Sequence, residues 1–315
     1  MEYSCLAMNV DSRKTTKLTQ TSRPMVSIGL PVHNGEAYLR QALDSILSQT
    51  FRQFELVISD NASDDKTETI CREYAAVDAR IRYHRQTRNR GVTWNFRQVV
   101  LLSLAKYFLW TSHDDLMGPN YVERCVTILE HNPSVVLCYS EPMNIDEAGT
   151  QFEPGCPLKA DLPRPYQRFR ELIDLNHNCV ALFGIIRADV LKHTSIHGDF
   201  SDGDRCVLVE LALRGDYYRI PEHLFFHREH ADRFTHRHPS RQEQTRRANP
   251  HRPMRFVFPH FRILREYTLA VYRAPLSWAE RLRCYLHLLN WIRWFRGRFW
   301  SDIKFSIIGT GSVPH

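Results

Sequence analysis

An apolar run that ends in a polar cluster occupies residues 54–65, which read FELVISDNASDD. Branched and aromatic side chains over so short a run are typical of a buried β-strand. The polar residues that follow, from Asp60 onward, can cap a helix, which we predict over 66–76. This stretch therefore predicts a strand, a polar loop and a helix in succession.

The same succession recurs on both sides of this stretch. Before it, Val26, Ile28 and Leu30 alternate with smaller residues until Pro31 breaks the run, and apolar residues at helical spacing predict a helix over 36–49. After it, strands are predicted at 80–85, 107–110 and 135–139, with helices over 93–105 and from Pro119 onward. Strands that alternate with helices imply an α/β fold with a doubly wound, mostly parallel sheet, which binds ligands beyond the carboxyl ends of its strands.

The second half of the chain is less regular. Residues 141–170 are rich in proline and weakly periodic, which predicts a loop-rich connection. We further predict strand structure within 176–187, a loop entering a helix over 199–215, and a final strand at 224–226.

Composition limits the class of protein. The chain has 315 residues, 43% hydrophobic and 24% charged, which excludes wholesale disorder, collagen-like repeats and a small disulfide scaffold. Its eight cysteines lack zinc-site spacing, and we interpret them as buried, reduced thiols. Because no apolar run is long enough to span a membrane, we predict a cytoplasmic protein.

Charge divides the chain unevenly. Residues 236–315 contain 15 Lys and Arg against 4 Asp and Glu, a net charge of +11, whereas residues 1–235 carry −4. Four of the six tryptophans also lie in this basic region, interleaved with arginines at roughly helical spacing. We therefore predict a flexible leader at 1–23, a catalytic domain at 24–235 and a basic, aromatic-rich helical region at 236–315.

The basic region has two interpretations. Helices that mix aromatic and arginine side chains bind anionic membrane surfaces, which would place the protein peripherally on the inner face of the cell membrane. Alternatively, the region is a helical subdomain packed on the catalytic core with its arginines solvated. The pattern favours the membrane surface, and we accordingly expect a truncation near Pro275 to retain hydrolysis of the donor substrate.

Asp114 and Asp115, which follow the strand predicted at 107–110, are the strongest chemical signal. Adjacent carboxylates repel each other unless a cation compensates them, and their hard oxygens suit Mg²⁺ or Mn²⁺ bridging to substrate phosphates. The same pair can instead cap the helix that begins near Pro119. The pattern alone leaves both roles open.

Four stretches together resemble the family 2 inverting glycosyltransferases, which are nucleotide-diphospho-sugar transferases. Residues 25–35, MVSIGLPVHNG, resemble the family's first strand and loop, and residues 54–65 resemble its second strand and acidic loop. Residues 89–115, from NRGVTWNF to YFLWTSHDD, resemble its glycine-containing turn and metal motif, and DRCVL at 204–208 resembles the motif that supplies the catalytic base. The resemblance covers residues 24–230 and implies a GT-A fold with a helical C-terminal extension.

The resemblance also implies a nucleotide pocket. Pro31, Asn34 and Asp60 would line it, with Asp60 accepting hydrogen bonds from the nucleobase. Arg88 and Asn95 are further candidates for the same pocket.

At the reaction centre, the resemblance implies a metal held by Asp114 and Asp115, with Asp114 also contacting the donor sugar and diphosphate. Asp204 would be the general base, and His230 would be a further metal or diphosphate contact. The sequence departs from the family pattern at two positions, Ser112 and Gly203, where acidic residues are usual. Ser112 removes a charge near the metal. Gly203 leaves Asp202, one position before it, to compete with Asp204 for the role of base.

The activity implied is metal-assisted transfer of a sugar from a nucleotide-diphosphate donor to a glycan or lipid-linked acceptor, by single displacement with inversion, in cell-surface polysaccharide synthesis. A sugar-phosphate nucleotidyltransferase is an alternative, but it would need a glycine-rich basic loop directly after the first strand, which residues 31–35 are not. A nucleic-acid-binding protein that uses the arginine-rich region is another. Residues 1–235 carry a net charge of −4, so they offer no basic groove that would continue from the arginine-rich region. We therefore expect no specific nucleic-acid partner.

Overall fold

The computed structural model describes residues 23–155, 158, 162–174, 179–196, 198, 200, 202–238, 240–248 and 258–308. Residues 1–22 of the predicted leader lie outside the described residues, so the leader stays a prediction.

The described residues form nine strands and twelve helices. The strands are β1 (Val26–Val32), β2 (Phe54–Asp60), β3 (Ile81–Arg85), β4 (Tyr107–Trp110), β5 (Leu116–Met117), β6 (Val135–Ile145), β7 (Gln151–Pro154), β8 (Ile185–Arg187) and β9 (Asp216–Arg228). The helices are α1 (Leu39–Leu47), α2 (Thr67–Val77), α3 (Val92–Leu101), α4 (Tyr121–His131), α5 (Pro165–Asp174), α6 (Ala188–Leu191), α7 (Gly203–Ala212), α8 (Phe234–Arg237), α9 (Arg241–Ala248), α10 (Pro259–Arg273), α11 (Trp278–Trp294) and α12 (Arg296–Ile308).

The strands belong to one sheet in the order β3-β2-β1-β4-β8-β6-β9-β5, with β7 paired to β6. The predicted doubly wound α/β sheet is confirmed: β3, β2, β1 and β4 are all parallel, and β6 is parallel to β9. Every residue of β1 and β2 is buried, as expected of strands covered on both faces. β8, which lies within the strand region predicted at 176–187, runs antiparallel between β4 and β6 and joins the two parallel parts.

Two strands are much longer than the sequence predicts. β6 continues six residues beyond the predicted end at Tyr139, and β9 begins at Asp216 rather than at residue 224. The two strands pair with each other, and their register shifts near Val135 and at Ser140 and Glu141. Each shift interrupts the two-residue alternation of side chains, so the periodic signal for one long strand is lost.

The irregular middle of the chain also differs from expectation. The predicted loop-rich connection contains β7 and the beginning of α5. Within the strand predicted at 176–187, residues Val180–Phe183 form a 3-10 turn and only Ile185–Arg187 is strand. A short apolar run does not by itself distinguish a buried turn from a buried strand.

The sheet separates two hydrophobic clusters. In β4, Tyr107 and Leu109 belong to one cluster and Phe108 and Trp110 to the other, because side chains alternate between the faces of a strand. The first cluster is covered by α1, α2 and α4, and the second by α3, α5, α7 and α10–α12.

The C-terminal helices are therefore part of the core, which corrects the preference for a tail that only binds a membrane surface. Cys284, Leu288 and Trp291 of α11 and Phe299 of α12 are buried in the second cluster. The indole of Trp291 donates a hydrogen bond of 3.0 Å to the carbonyl of Ile173 in α5. Of the four tryptophans in this region only Trp291 is buried, whereas Trp278, Trp294 and Trp300 are exposed.

The described part of the chain agrees with the prediction of buried thiols, because Cys71, Cys125, Cys138, Cys179, Cys206 and Cys284 are all buried. The described helices include none with the length and apolarity needed to cross a bilayer.

Candidate active site

The site lies at the carboxyl ends of β1 and β4, where the strand order reverses. From β1 the chain proceeds to β2 and β3 on one side, whereas β4 lies on the other side, so the loops after β1 and β4 border a crevice. The loops approach closely at Gly35, where a Cβ atom would lie 2.8 Å from the His113 ring. A side chain at position 35 would therefore push the two loops apart.

A cavity of about 320 Å³ opens at this crevice. It brings together four of the predicted site residues, Pro31, Asp114, Asp115 and Asp204. Apolar walls from Phe96, Leu182 and Phe183 complete a mixed lining of the kind that small-molecule sites use.

Asp114 is held between two neighbours. Its Oδ1 accepts a hydrogen bond from Ser112, and its Oδ2 lies 2.9 Å from Nε2 of His230. Burial alone would raise the pKa of the Asp114 carboxyl, but the charge of His113 and the hydrogen bonds from His230 and Ser112 outweigh it, so the pKa is below its ordinary value. Ser112, which replaces an acidic residue of the family pattern, thus orients the carboxylate beside it.

Asp115 faces the end of β9. Its Oδ1 accepts a hydrogen bond of 2.9 Å from the backbone N–H of Arg228 and lies 3.0 Å from Nδ1 of His227. Although burial lowers the pKa of His227, the carboxylate of Asp115 raises it overall. The Asp115 carboxylate therefore joins the β4 loop to β9. It does not cap α4, whose N-cap residue is Asn120.

Arg228 is a residue that the sequence analysis missed. It is fully buried, and its guanidinium donates to the carbonyl oxygens of Asp114, Asp146 and Glu147 and to Oε1 of Gln41, at 2.7–3.0 Å. These bonds fix the backbone of the acidic loop against α1 and the turn after β6. The sequence could have indicated Arg228, because a charged residue at the carboxyl end of a strand in this sheet lies at the ligand-binding edge.

The donor set at Asp114 and His230 fits a divalent cation. The Asp114 carboxylate oxygen and the His230 imidazole nitrogen lie 2.9 Å apart, so both could bind one cation, which would replace their hydrogen bond. The described residues contain no group of three His, Cys, Asp or Glu side chains placed to bind a metal by themselves. Mg²⁺ and Mn²⁺ commonly take one or two protein ligands and complete their shell with water and substrate phosphates, so two ligands suffice.

The two candidate bases have different surroundings. Asp202 accepts two hydrogen bonds from Arg241, at 2.7 and 3.0 Å, and lies 3.6 Å from Arg205. Both residues line the cavity, and Asp204, in the first turn of α7, accepts a hydrogen bond of 2.8 Å from the backbone N–H of the next residue. Because Arg241 occupies both carboxylate oxygens of Asp202, the geometry favours Asp204 as the candidate base.

Two residues predicted for the nucleotide pocket are engaged in the fold. Asp60 is fully buried, its Oδ1 accepts from the backbone N–H and hydroxyl of Ser63, and its Oδ2 accepts from Tyr83 at 2.7 Å. The amide of Asn95 donates to the carbonyls of Val32 and Ser59, which joins the ends of β1 and β2. Their contacts with a nucleotide stay predictions.

The remaining nucleotide candidates are more accessible. Asn34 is exposed, has φ of 55°, and exchanges hydrogen bonds with Asp64. Arg88 is exposed in the turn before α3 and makes no hydrogen bond or ion pair with another described residue. Neither lines the cavity that holds the acidic residues.

Comparison with known proteins identifies the class. Residues 27–194, more than half of the chain, match the sequence profile of glycosyl transferase family 2, and the chain belongs to this family. It is 31% identical over 182 residues to an uncharacterized glycosyltransferase of Rickettsia typhi, covering 56% of this chain and 49% of the relative. It is also 31% identical over 132 residues to the chondroitin synthase of Escherichia coli, covering 42% of this chain and 19% of the synthase. The chain thus spans half or less of the length of these relatives.

Solved structures share the fold. S. aureus TarS 1–349 in complex with UDP-GlcNAc superposes with a TM-score of 0.63 at 17% identity, over 86% of this chain and 73% of that one. Mannosyltransferase PcManGT from Pyrobaculum calidifontis, in complex with GDP-Man and Mn²⁺, gives a TM-score of 0.53 at 17% identity, over 93% and 78% of the two chains. The protein has the GT-A fold and belongs to glycosyl transferase family 2, and neither the nucleotidyltransferase nor the nucleic-acid-binding alternative predicts this family match.

Proposed function

We propose that the chain transfers a sugar from a nucleoside-diphosphate donor to a hydroxyl group of a glycan or lipid-linked acceptor, with inversion at the anomeric carbon. The observation that carries the proposal is the placement of Asp204 in the same cavity as Asp114 and Asp115. A base and a diphosphate-binding loop in one cavity are what a single displacement needs. Nucleotide sugars in the complexes of TarS and PcManGT support the donor class.

In this mechanism Asp114 and His230 would hold Mg²⁺ or Mn²⁺, with Asp115 of the same loop as the third predicted ligand. When bound, the cation would neutralise charge on the leaving nucleoside diphosphate. Ser112 and Arg228 keep Asp114 in position through its carboxylate and its backbone carbonyl. Asp204 accepts the proton of the acceptor hydroxyl while that oxygen attacks the anomeric carbon from the face opposite the diphosphate.

The test is a panel of uridine and guanosine diphosphate sugars, each incubated with a candidate glycan acceptor and Mn²⁺. Product formation, with the anomeric configuration read by proton NMR, is the expected result. Retention of the donor configuration would contradict single displacement, and transfer by Asp204→Asn at the normal rate would remove the proposed base.

The same proposal places the enzyme at the anionic inner face of the cell membrane, in cell-surface polysaccharide synthesis. One side of α11 exposes Trp278, Leu282, Leu286 and Leu289, with relative exposures of 76%, 45%, 51% and 58%. Arg283 and Arg293 are also exposed on this helix. Apolar side chains flanked by arginines suit the surface of a bilayer that contains anionic lipid.

Co-sedimentation with phosphatidylglycerol vesicles tests the membrane surface. Leu289→Asp should lower vesicle binding, whereas Leu101→Asp, at a leucine of α3 that is 61% exposed, should not. Equal binding by both variants would contradict the role of α11.

A further inference from the structure

A second, smaller cavity lies where the C-terminal helices meet the beginning of α7. Its volume is about 50 Å³, and it adjoins the active-site cavity because Asp202 lines both. Three arginines from three different elements line it: Arg205 of α7, Arg241 of α9 and Arg298 of α12. These residues are distant in sequence, so the fold has collected three positive charges around one small space.

Asp202 is the one carboxylate among the described residues that line this cavity, together with the three arginines. Asp202 is engaged by Arg241 at 2.7 and 3.0 Å and by Arg205 at 3.6 Å. Arg298 makes no ion pair with any other described residue. Burial and the charge of Arg241 both lower its pKa, which indicates that the like charges are close. A site with excess guanidinium groups attracts an anion.

A buried histidine supplies a second, independent observation. His260 lines the cavity and is 7% exposed. Asp302 is fully buried, and its Oδ1 lies 2.9 Å from Nδ1 of His260. Its Oδ2 accepts a hydrogen bond of 2.7 Å from the backbone N–H of His260. Nε2 of His260 is buried and has no hydrogen-bond partner among the described residues. An imidazole that is oriented by a carboxylate at one nitrogen, with the other nitrogen unsatisfied, is prepared to bind a further polar group.

We infer that this cavity binds a phosphate group carried by the acceptor substrate. Phosphate offers several oxygens to the guanidinium forks and a polar partner to the unsatisfied imidazole nitrogen of His260. One water molecule needs a cavity volume of about 10–15 Å³. The cavity volume of about 50 Å³ therefore leaves room for a group with a few oxygens. The inference deepens the proposed function and rests on it for the identity of the ligand as an acceptor. Asp202 lines this cavity and lies two residues before Asp204. The bound phosphate would therefore lie near the proposed base rather than near the donor diphosphate.

The first measurement is calorimetric titration of the full chain with glycerol 3-phosphate, a soluble phosphate monoester. Arg298→Gln should weaken binding about tenfold, since one charge-assisted contact is lost. Arg296→Gln, at a neighbouring exposed arginine of α12 that does not line the cavity, is the matched control and should bind like the wild type. Arg298→Lys should recover part of the affinity.

Two further variants separate this site from the active site. Asp114→Asn should leave the titration unchanged, because the donor site is not involved, and Asp204→Asn should bind phosphate normally even though transfer fails. If glycerol 3-phosphate binds but no acceptor is ever glycosylated, the phosphate site stands and the proposed function fails. Absence of binding to the wild type at millimolar concentration, or equal weakening by Arg296→Gln, would overturn the inference.

The source of the phosphate is resolved by comparison with vesicles of phosphatidylcholine that contain phosphatidic acid. Arg298→Gln should lower binding to these vesicles, and glycerol 3-phosphate should compete with them, if the acceptor phosphate is attached to lipid. Binding of the soluble ester alone would assign the site to a soluble phosphorylated glycan. Both results support a phosphate site and differ only in what carries the phosphate.

Discussion

Replacement of Trp291 by alanine tests whether the basic C-terminal region is part of the core. The side chain is 4% exposed, and its ring lies 5.7 Å from the rings of Tyr267 and Phe299. Burial of roughly 200 Å² of aromatic surface is worth about 5 kcal/mol, an upper estimate because the unfolded chain is itself partly compact. Loss of the hydrogen bond to Ile173 leaves a buried carbonyl unpaired and adds about 1 kcal/mol. If the burial figure is reduced by about a third for the compactness of the unfolded chain, the two contributions sum to a loss of about 4 kcal/mol in the free energy of unfolding.

The assay is urea and thermal unfolding followed by near-ultraviolet circular dichroism. A loss of this size should lower Tm by about 10 °C for a chain of this length. Trp294→Ala is the control, since its side chain is 65% exposed, and surface substitutions usually change stability by less than about 0.5 kcal/mol. Equal effects of the two substitutions would refute the packing described here. The same reasoning predicts that truncation near Pro275, which removes α11 and α12, prevents folding, contrary to the expectation from the sequence.

Other perturbations address the active site. Asp204→Asn should slow transfer by about 10²–10⁴-fold with donor binding unchanged, measured by single-turnover kinetics and calorimetry; a larger loss of rate with Asp202→Asn would identify that residue as the base. Asp115→Asn should lower transfer sharply while circular dichroism shows an intact fold, and normal turnover would leave the carboxylate only a structural role. Arg228→Met should destabilise the protein by at least about 2 kcal/mol in urea unfolding, because buried carbonyl groups lose their donor; unchanged stability would contradict the role assigned to its hydrogen bonds. Chelation should abolish transfer and added Mn²⁺ should restore it, and activity that survives chelation would argue against the divalent cation.

The sequence alone determined the regular half of the fold. The buried strands β2 and β4 were predicted within one residue at their ends, because short apolar runs bounded by polar clusters carry a strong local signal. β1 continues to Val32, two residues beyond the end predicted before Pro31. The strand-end rule then located the acidic loop around Asp114, which the structure places in the cavity. The alternation of buried and exposed side chains is weaker in β6 and β9, because shifts of register interrupt it. Most of β9 was therefore not predicted from the sequence.

Only the tertiary structure decided how the charged side chains pair. The sequence could not choose between Asp202 and Asp204, whereas the contact of Asp202 with Arg241, 39 residues away, separates them. The bond between Asp115 and His227 joins residues 112 positions apart. Local periodicity reports which side chains face a core, because burial repeats with the helix or strand. It does not report which charges meet across the fold, because that depends on how distant elements pack.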